Sequence, residues 1–172
     1  MENLVSLDDG GANSGAIIDQ IRKIEFFSNL EPDEVDTLAK WSRVYSARSG
    51  STIFNEGGSI PKLCFLVEGQ VSITKQVSPF ESINISEIEA GGVIGEMGII
   101  DGEAISATAK ASKDSVMVII SGEDFGNLVK QNGDLGAKLL WNIGRIITAK
   151  LRTTTSLLAD LSMSKASRML KY

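Results

Sequence analysis

The chain has 172 residues, of which 42% are hydrophobic and 23% are charged, the balance of an ordinary globular domain with a sizeable core. Its formal net charge of −5 argues against broad electrostatic binding to nucleic acid or to an acidic membrane surface. With no histidine and one cysteine, the chain by itself lacks the residues for serine–histidine or cysteine–histidine nucleophile systems, histidine metal sites and thiolate zinc cages.

Residues 1–15 are rich in glycine, aspartate, asparagine and serine, which predicts a disordered N-terminus. This segment has neither a basic region nor a continuous apolar run, so it does not predict a signal peptide. No apolar run approaches the ~20 residues that a membrane-spanning helix needs, and no membrane contact is predicted. The single cysteine, Cys64, permits no intramolecular disulfide, which is typical of a reducing compartment. The sequence therefore predicts a cytoplasmic protein.

Two helical patterns follow. Isoleucines recur at helical spacing in "AIIDQIRKIEFF", residues 16–27, which predicts a short amphipathic helix. In residues 30–41, Pro32 suits the first helical position, and Asp33 and Glu34 favour the positive end of the helix. The chain is thus expected to begin with helices.

The hydrophobic period changes to two between about residues 43 and 120. Short, mostly β-branched runs such as "RVYSA", "KLCFLVEG", "QVSITKQV" and "SVMVIIS" are separated by glycine turns. Many short strands with glycine turns indicate a sandwich, a jelly roll or a barrel. Cys64, inside "KLCFLVEG", is expected to be a small core residue on a strand.

The helical period returns at Ser121, which with Asp124 has the spacing of a helix cap. A long helix is predicted from about 134 to 160, followed by a frayed tail at 161–172. Self-association with a second copy of the chain is the favoured explanation of its apolar seam, and an amphipathic helix lying on a sheet is the alternative. The seam residues are spaced by three or four positions: Leu140, Ile143, Ile147, Leu151, Thr154, Leu158 and Leu161.

The stretch "GEMGIIDGEAISATAKAS", residues 95–112, has the layout of a ligand pocket. A Gly-Glu pair opens it, a short apolar turn follows, and small residues close it. Backbone N–H groups at the start of a short helix attract an anion, and glycines let a backbone come close to a ligand. Such a layout suits a sugar phosphate, although the only basic residue in the stretch, Lys110, comes late.

The order of helices, a glycine-punctuated β roll and a long helix resembles the cyclic nucleotide-binding domain family, found in bacterial catabolite activator proteins and in regulatory subunits of cAMP-dependent kinases. The resemblance covers residues 24–161 and rests on "FFSNLEPDEVDTLAKW", "RSGSTIFNEGGSIPKLCFLVEGQVSI", "GGVIGEMGIIDGEAISATAKAS" and "LLWNIGRIITAKLRTTTSLLADL". It implies a mainly β fold, a double-stranded β-helix (jelly roll) with N-terminal helices and a long C-terminal dimerisation helix. The expected domain spans 16–160.

The resemblance also implies a ligand site with cAMP or cGMP as the regulatory ligand and no metal. Glu96 would accept hydrogen bonds from a ribose hydroxyl, and the Ser106 hydroxyl and the Ala107 N–H would meet phosphate oxygens. The long helix would offer threonines to the purine base. The expected ligand-binding residues are Gly95, Glu96, Met97, Gly98, Ile105, Ser106, Ala107, Thr154 and Thr155.

The chain departs from the family pattern at Ile105, where the family places an arginine that clamps the phosphate. Charge-assisted hydrogen bonds of that kind are worth ~1.5–3 kcal/mol, so their loss weakens binding by roughly tenfold to over a hundredfold. Strand alternation is expected to place Lys110 on the opposite face from Ile105. Other cations that could reach the site are Arg48, Lys62, Arg145 and Arg152.

Three interpretations of the pocket therefore stay open: weak cyclic nucleotide binding or binding with a substitute cation, a different small ligand, or an empty site. The leading hypothesis is a non-enzymatic sensor that acts on an effector protein through a homodimer joined by the C-terminal helix. The second is a ligand-free scaffold for dimerisation or protein interaction. A cupin-like enzyme is disfavoured, because the chain lacks the histidines of the usual metal triad. The chain by itself also offers no nucleic-acid-binding domain.

Overall fold

The structure, a computed structural model, describes residues 4–7, 14–59 and 61–169. The chain forms two compact units that meet in sequence after Ala137. The strands are β1 (Leu4–Ser6), β2 (Arg43–Ala47), β3 (Thr52–Phe54), β4 (Lys62–Glu68), β5 (Gln70–Ser78), β6 (Glu81–Glu89), β7 (Val93–Ile94), β8 (Thr108–Ala111) and β9 (Ser115–Ser121). The helices are α1 (Ser14–Arg22), a 3-10 turn (Glu25–Phe27), α2 (Pro32–Trp41), α3 (Glu96–Asp101), α4 (Gly122–Gln131) and α5 (Gly133–Met169).

The strands of the first unit form two antiparallel sheets within the described residues. One has the order β1-β2-β9-β4-β7 and the other the order β3-β8-β5-β6. Apart from the β5–β6 hairpin, neighbours in these sheets are far apart in sequence, as in the pairing of Cys64 on β4 with Ile119 on β9. This mainly β architecture with flanking helices is the predicted fold class.

The apolar core of the first unit draws on both sheets. It contains Cys64 as expected, and the near-continuous burial of β4 and β9 on both faces explains their unbroken apolar runs. Ile73, Ile88 and Ile105 are partly buried and pack against this core. The core residues are Ala47, Ile53, Phe54, Cys64, Leu66, Val71, Ile94, Ala109, Ala111, Met117 and Ile119.

The helices that flank the sheets have the ends that their sequences predict. Pro32 is the first residue of α2, and the Glu31 N–H donates to the Glu34 carboxylate at 2.8 Å. Ser121 caps α4, because its hydroxyl oxygen accepts a hydrogen bond from the Asp124 N–H at 3.0 Å. The predicted caps at these two helices are confirmed.

The second unit is the continuation of α5 from Lys138 onward. Leu151, Leu158 and Leu161 of the predicted seam are each about 60% exposed, whereas Ile143 is fully buried. The helix continues to Met169, which corrects the prediction of a frayed tail for residues 161–169. Since neither glycine nor proline occurs after Gly144, no residue type in that stretch forces the helix to end.

The N-terminus also differs from the prediction of disorder over residues 1–15. Residues 4–6 form β1, in which Val5 pairs with Ser46 of β2, and α1 begins at Ser14. A strand added to a sheet edge is held by backbone hydrogen bonds, which composition does not reveal. Residues 1–3, 8–13 and 170–172 lie outside the described part of the chain.

We predict that Cys64 makes the protein less stable in alkaline solution. Burial raises the pKa of its thiol from the usual 9.0 to about 12. The unfolded chain releases this proton from about pH 9 and the folded chain only near pH 12, so the stabilisation is full below about pH 9 and is lost as pH rises through that window.

Urea unfolding at about pH 8 and about pH 10 should show the wild type losing about 1.4 kcal/mol more than Cys64→Ala, since the variant lacks the titrating group. Equal losses in the two proteins would contradict this account.

Candidate functional site

Gly95 makes the turn that begins the candidate site. Its φ of +88° lies in the left-handed region, and a Cβ there would overlap the Lys62 carbonyl oxygen. Only glycine meets both conditions, because it has no side chain and tolerates positive φ. The turn connects β7 to α3 against the first residue of β4.

Glu96 follows as the first residue of α3, and only 5% of it is exposed to solvent. Acidic side chains are almost never buried to this extent unless they are paired. The structure therefore gives Glu96 a special position inside the first unit, consistent with its selection from sequence.

α3 is a short helix that Gly102 caps at its C-terminal end. The Gly102 N–H donates to the Gly98 carbonyl at 3.1 Å, and Gly102 has a φ of +71°. A Cβ on Gly98 would lie 3.2 Å from the Glu103 carbonyl oxygen and 3.3 Å from the Pro61 Cβ, so little room remains for a side chain. Met97 is half exposed on the same helix.

Ile105 lies in an extended segment that joins α3 to β8 but is not part of a strand. Its N–H donates to the Gly58 carbonyl at 2.9 Å, and its carbonyl accepts from the Gly57 N–H at 2.8 Å. Its side chain packs against the core. Because β8 begins only at Thr108, the expectation that strand alternation relates Ile105 to Lys110 was wrong.

Ser106 is exposed and Ala107 is half buried, immediately before β8. The carbonyl oxygen of Ser106 accepts a hydrogen bond from the Lys75 ammonium at 2.6 Å. Lys75 Nζ also lies 2.6 Å from Glu56 Oε1 in an ion pair. The structure thus brings a cation of β5 to the small residues that were expected to meet a phosphate.

Glu56 is anchored on both sides of this ion pair. Its second carboxylate oxygen accepts a hydrogen bond from the Gln76 N–H at 3.0 Å, and its own N–H donates to Thr108 Oγ1 at 3.1 Å. The hydrogen bonds from Gln76 and Lys75 lower the pKa of the Glu56 carboxyl below its usual value. Glu56 therefore carries a negative charge at neutral pH.

Sequence reasoning missed Lys75, although strand alternation contains the signal. Val71 and Ile73 face the core from β5, and Lys75 is the next residue with the same parity. The cations considered from sequence were instead Arg48, which is exposed, and Lys62, whose pKa is lowered by burial of its ammonium. Their roles stay predictions, as do those of Arg145 and Arg152.

Thr154 and Thr155, the expected base contacts, lie in the second unit. Both are exposed, and their hydroxyls donate to the carbonyls of Lys150 and Leu151 at 2.9 Å, one turn back along α5. This bonding is common for threonine inside a helix. Their contact with a ligand stays a prediction.

Among the residues that the structure describes, no three histidine, cysteine, aspartate or glutamate side chains are grouped to hold a metal ion. Over the same residues, no helix combines the length and apolarity that crossing a bilayer requires.

Comparison with known proteins gives matches over most of this chain. The sequence model of the cyclic nucleotide-binding domain matches residues 45–132, just over half of the chain. The Cyclic AMP receptor protein of Thermus thermophilus is 23% identical over 146 residues, which cover 85% of this chain and 66% of that protein. The chain spans less than two thirds of the length of the curated relatives that it matches.

Solved structures share the fold. A cyclic nucleotide-binding domain from Methylobacillus flagellatus matches with a TM-score of 0.76 and 26% identity, over 90% of this chain and 87% of that one. The Catabolite Activator Protein of Thermus thermophilus matches with a TM-score of 0.68 and 23% identity, over 80% of this chain and 62% of that one. The predicted fold class is confirmed.

We predict that Gly95→Ala is far more destabilising than Gly91→Ala. Both glycines have φ near +88°, but a Cβ on Gly91 would meet nothing within 4 Å, whereas one on Gly95 would collide with the β4 backbone. Backbone strain costs about 1–2 kcal/mol at either position, and the collision adds to it only at Gly95. Denaturant unfolding should show a loss of about 3 kcal/mol or more for Gly95→Ala. Equal losses would show that the close approach to Lys62 is unimportant.

Proposed function

Because this chain belongs to the cyclic nucleotide-binding domain family, we propose that it is a non-enzymatic regulatory module with a small regulatory ligand. The ligand is cAMP, cGMP or a close analogue, bound by residues 95–107. The observation that carries this proposal is the buried carboxylate of Glu96 directly after the left-handed turn at Gly95.

The proposed ligand contacts follow the family resemblance. Glu96 accepts a hydrogen bond from a ribose hydroxyl, while the Ser106 hydroxyl and the Ala107 N–H bind phosphate oxygens. Gly95 and Gly98 let this segment pack directly against Lys62, Pro61 and Glu103, which fixes the backbone that would face the ligand. Ile105 offers the phosphate no charge, so we expect the affinity for cyclic nucleotides to differ from the family norm.

The proposed output is a shift between two arrangements of α5. A ligand changes such an equilibrium only to the extent that it binds one arrangement more tightly than the other. The exposed leucines of α5 support a homodimer as the assembly that responds, with Thr154 and Thr155 available to the purine base. A longer protein around this chain, or an effector protein, would receive the signal.

A ligand-free scaffold is the second candidate function. The observation that favours it is the Ile105 side chain, which packs against the apolar core and leaves residues 95–107 without a positively charged residue of their own. In that case the β roll would serve only to present α5 for dimerisation. Neither candidate is an enzyme, and two of the proteins that the chain matches are named as a receptor protein and an activator protein.

We predict that the purified chain binds cAMP or cGMP with a dissociation constant between about 1 μM and 1 mM, weaker than a site with the phosphate arginine would give. Isothermal titration measures this directly. Titrations without heat for both nucleotides up to about millimolar concentration would favour the scaffold.

Glu96→Gln tests the ribose contact. The amide keeps the shape of the side chain but loses the charge, so binding of the better nucleotide should weaken by about tenfold or more. The matched control is 2′-deoxy-cAMP, which lacks the ribose hydroxyl that Glu96 is proposed to bind. It should bind the wild type weakly and bind Glu96→Gln equally weakly. A ribose contact is refuted if the variant still discriminates between the two nucleotides.

We also predict that α5 joins two copies of the chain through Leu158. Leu158→Arg should shift the sedimentation coefficient from dimer to monomer, because it places a charge in the apolar seam, and its 59% exposure means that the fold itself is spared. Ser156→Arg, on the opposite side of the helix, is the control and should remain dimeric. A wild-type monomer at micromolar concentration would contradict the proposed dimer.

A further inference from the structure

The Lys75 ammonium lies at the segment that is proposed to bind phosphate, although Lys75 is 31 residues away in sequence. It donates to the carbonyl oxygen of Ser106 at 2.6 Å. That carbonyl shares a trans peptide group with the N–H of Ala107, the proposed phosphate donor, so the two point in opposite directions and Lys75 must change rotamer to meet an anion bound at that N–H. A lysine side chain moves its ammonium by several ångströms through ordinary rotamer changes, so Lys75 can reach an anion held at these two residues.

The position of Lys75 on its strand directs it to this place. Val71, Ile73 and Lys75 share one face of β5. Pairing with β8 is regular from Val71 to Thr74, and the register shift against β6 between Ile73 and Thr74 skips a residue of β6, so β5 keeps its alternation as far as Lys75. Val71 and Ile73 contribute to the core, and Lys75 follows them at the end of the same row. Its side chain is 43% exposed, so the charge stays accessible to a ligand from solvent.

Glu56 holds the ammonium in position before a ligand arrives. The carboxylate forms an ion pair with Lys75 at 2.6 Å and is itself fixed to β5 through the Gln76 N–H. With its carboxylate ionised, Glu56 both positions the cation and competes with any other anion for it.

We propose that Lys75 supplies the positive charge for the phosphate of the regulatory ligand, and that Glu56 competes with that phosphate for Lys75. This inference rests on the proposed function and adds a specificity residue from β5 to the site. Binding a phosphate exchanges one anionic partner of Lys75 for another, so affinity reflects the difference between them. The ligand class is thereby restricted to nucleotides with an anionic phosphate, and an uncharged nucleoside gains nothing from Lys75.

Isothermal titrations with cAMP and cGMP at two salt concentrations test the role of Lys75. Lys75→Met should weaken binding of the better nucleotide by roughly tenfold or more and reduce its dependence on salt. Lys75→Arg keeps the charge and should retain most of the affinity. Lys110→Met is the matched control: it removes a lysine from the adjacent strand β8, where it is exposed between the buried Ala109 and Ala111, and should leave binding unchanged.

Glu56→Gln separates a ligand role from a structural one. If Glu56 competes with the phosphate, the variant should bind the nucleotide severalfold more tightly than the wild type, opposite to the effect of Lys75→Met. If the ion pair between Lys75 and Glu56 only stabilises the segment around Ser106, both variants should weaken nucleotide binding. That result would overturn the inference. Melting temperatures of the two variants show whether that segment itself has been disturbed.

The outcomes distinguish this inference from the function on which it rests. Nucleotide binding by the wild type that Lys75→Met leaves unchanged overturns the role of Lys75 and leaves the sensor intact. No binding of either nucleotide by the wild type overturns both. Adenosine is the ligand-side control: any affinity for it should be the same in the wild type and in Lys75→Met, and a loss in the variant would count against a phosphate contact.

Discussion

The left-handed turn at Gly95, pressed against the backbone of β4, is the constraint on which the candidate site depends. It lets the chain leave the buried strand β7 and begin α3 at once, which carries the Glu96 carboxylate into the interior of the first unit. Any side chain at position 95 would meet the Lys62 carbonyl. The site is therefore built from backbone geometry first, and from side-chain chemistry second.

Charge is the second requirement, because a phosphate that loses water needs a positive partner. In this chain the segment before Ser106 and Ala107 carries an isoleucine, which belongs to the core instead. The ammonium of Lys75 approaches the same segment from β5 and is held there by Glu56. In our proposal the positive charge comes from Lys75 of β5 instead of from the residue before Ser106. Ser106 and Ala107 remain the phosphate donors. The affinity of such a site would depend on how strongly Glu56 holds Lys75, as well as on the ligand's phosphate.

The sequence predicted the fold class because period-two runs, glycine turns and helix caps are local signals, as at Ser121 and Pro32. It named Gly95 and Glu96 as ligand-binding residues, and those roles stay predictions. Alternation along β5 places Lys75 in the row of Val71 and Ile73, but the approach of that row to residue 106 is non-local and depends on strand register, which no short window contains. The sequence misjudged residues 4–6 and 161–169 because edge pairing and helix continuation leave little trace in composition.

The central claim is that a nucleotide phosphate at Ser106 and Ala107 is neutralised by Lys75 while Glu96 holds the ribose. A crystal structure of the chain grown with saturating cAMP tests it most directly. The account predicts ligand density with a phosphate oxygen within ~3 Å of Lys75 Nζ and a ribose hydroxyl at a similar distance from the Glu96 carboxylate. Density with the phosphate turned away from Lys75, or a ligand-free map in which Lys75 still binds the Ser106 carbonyl, would contradict it.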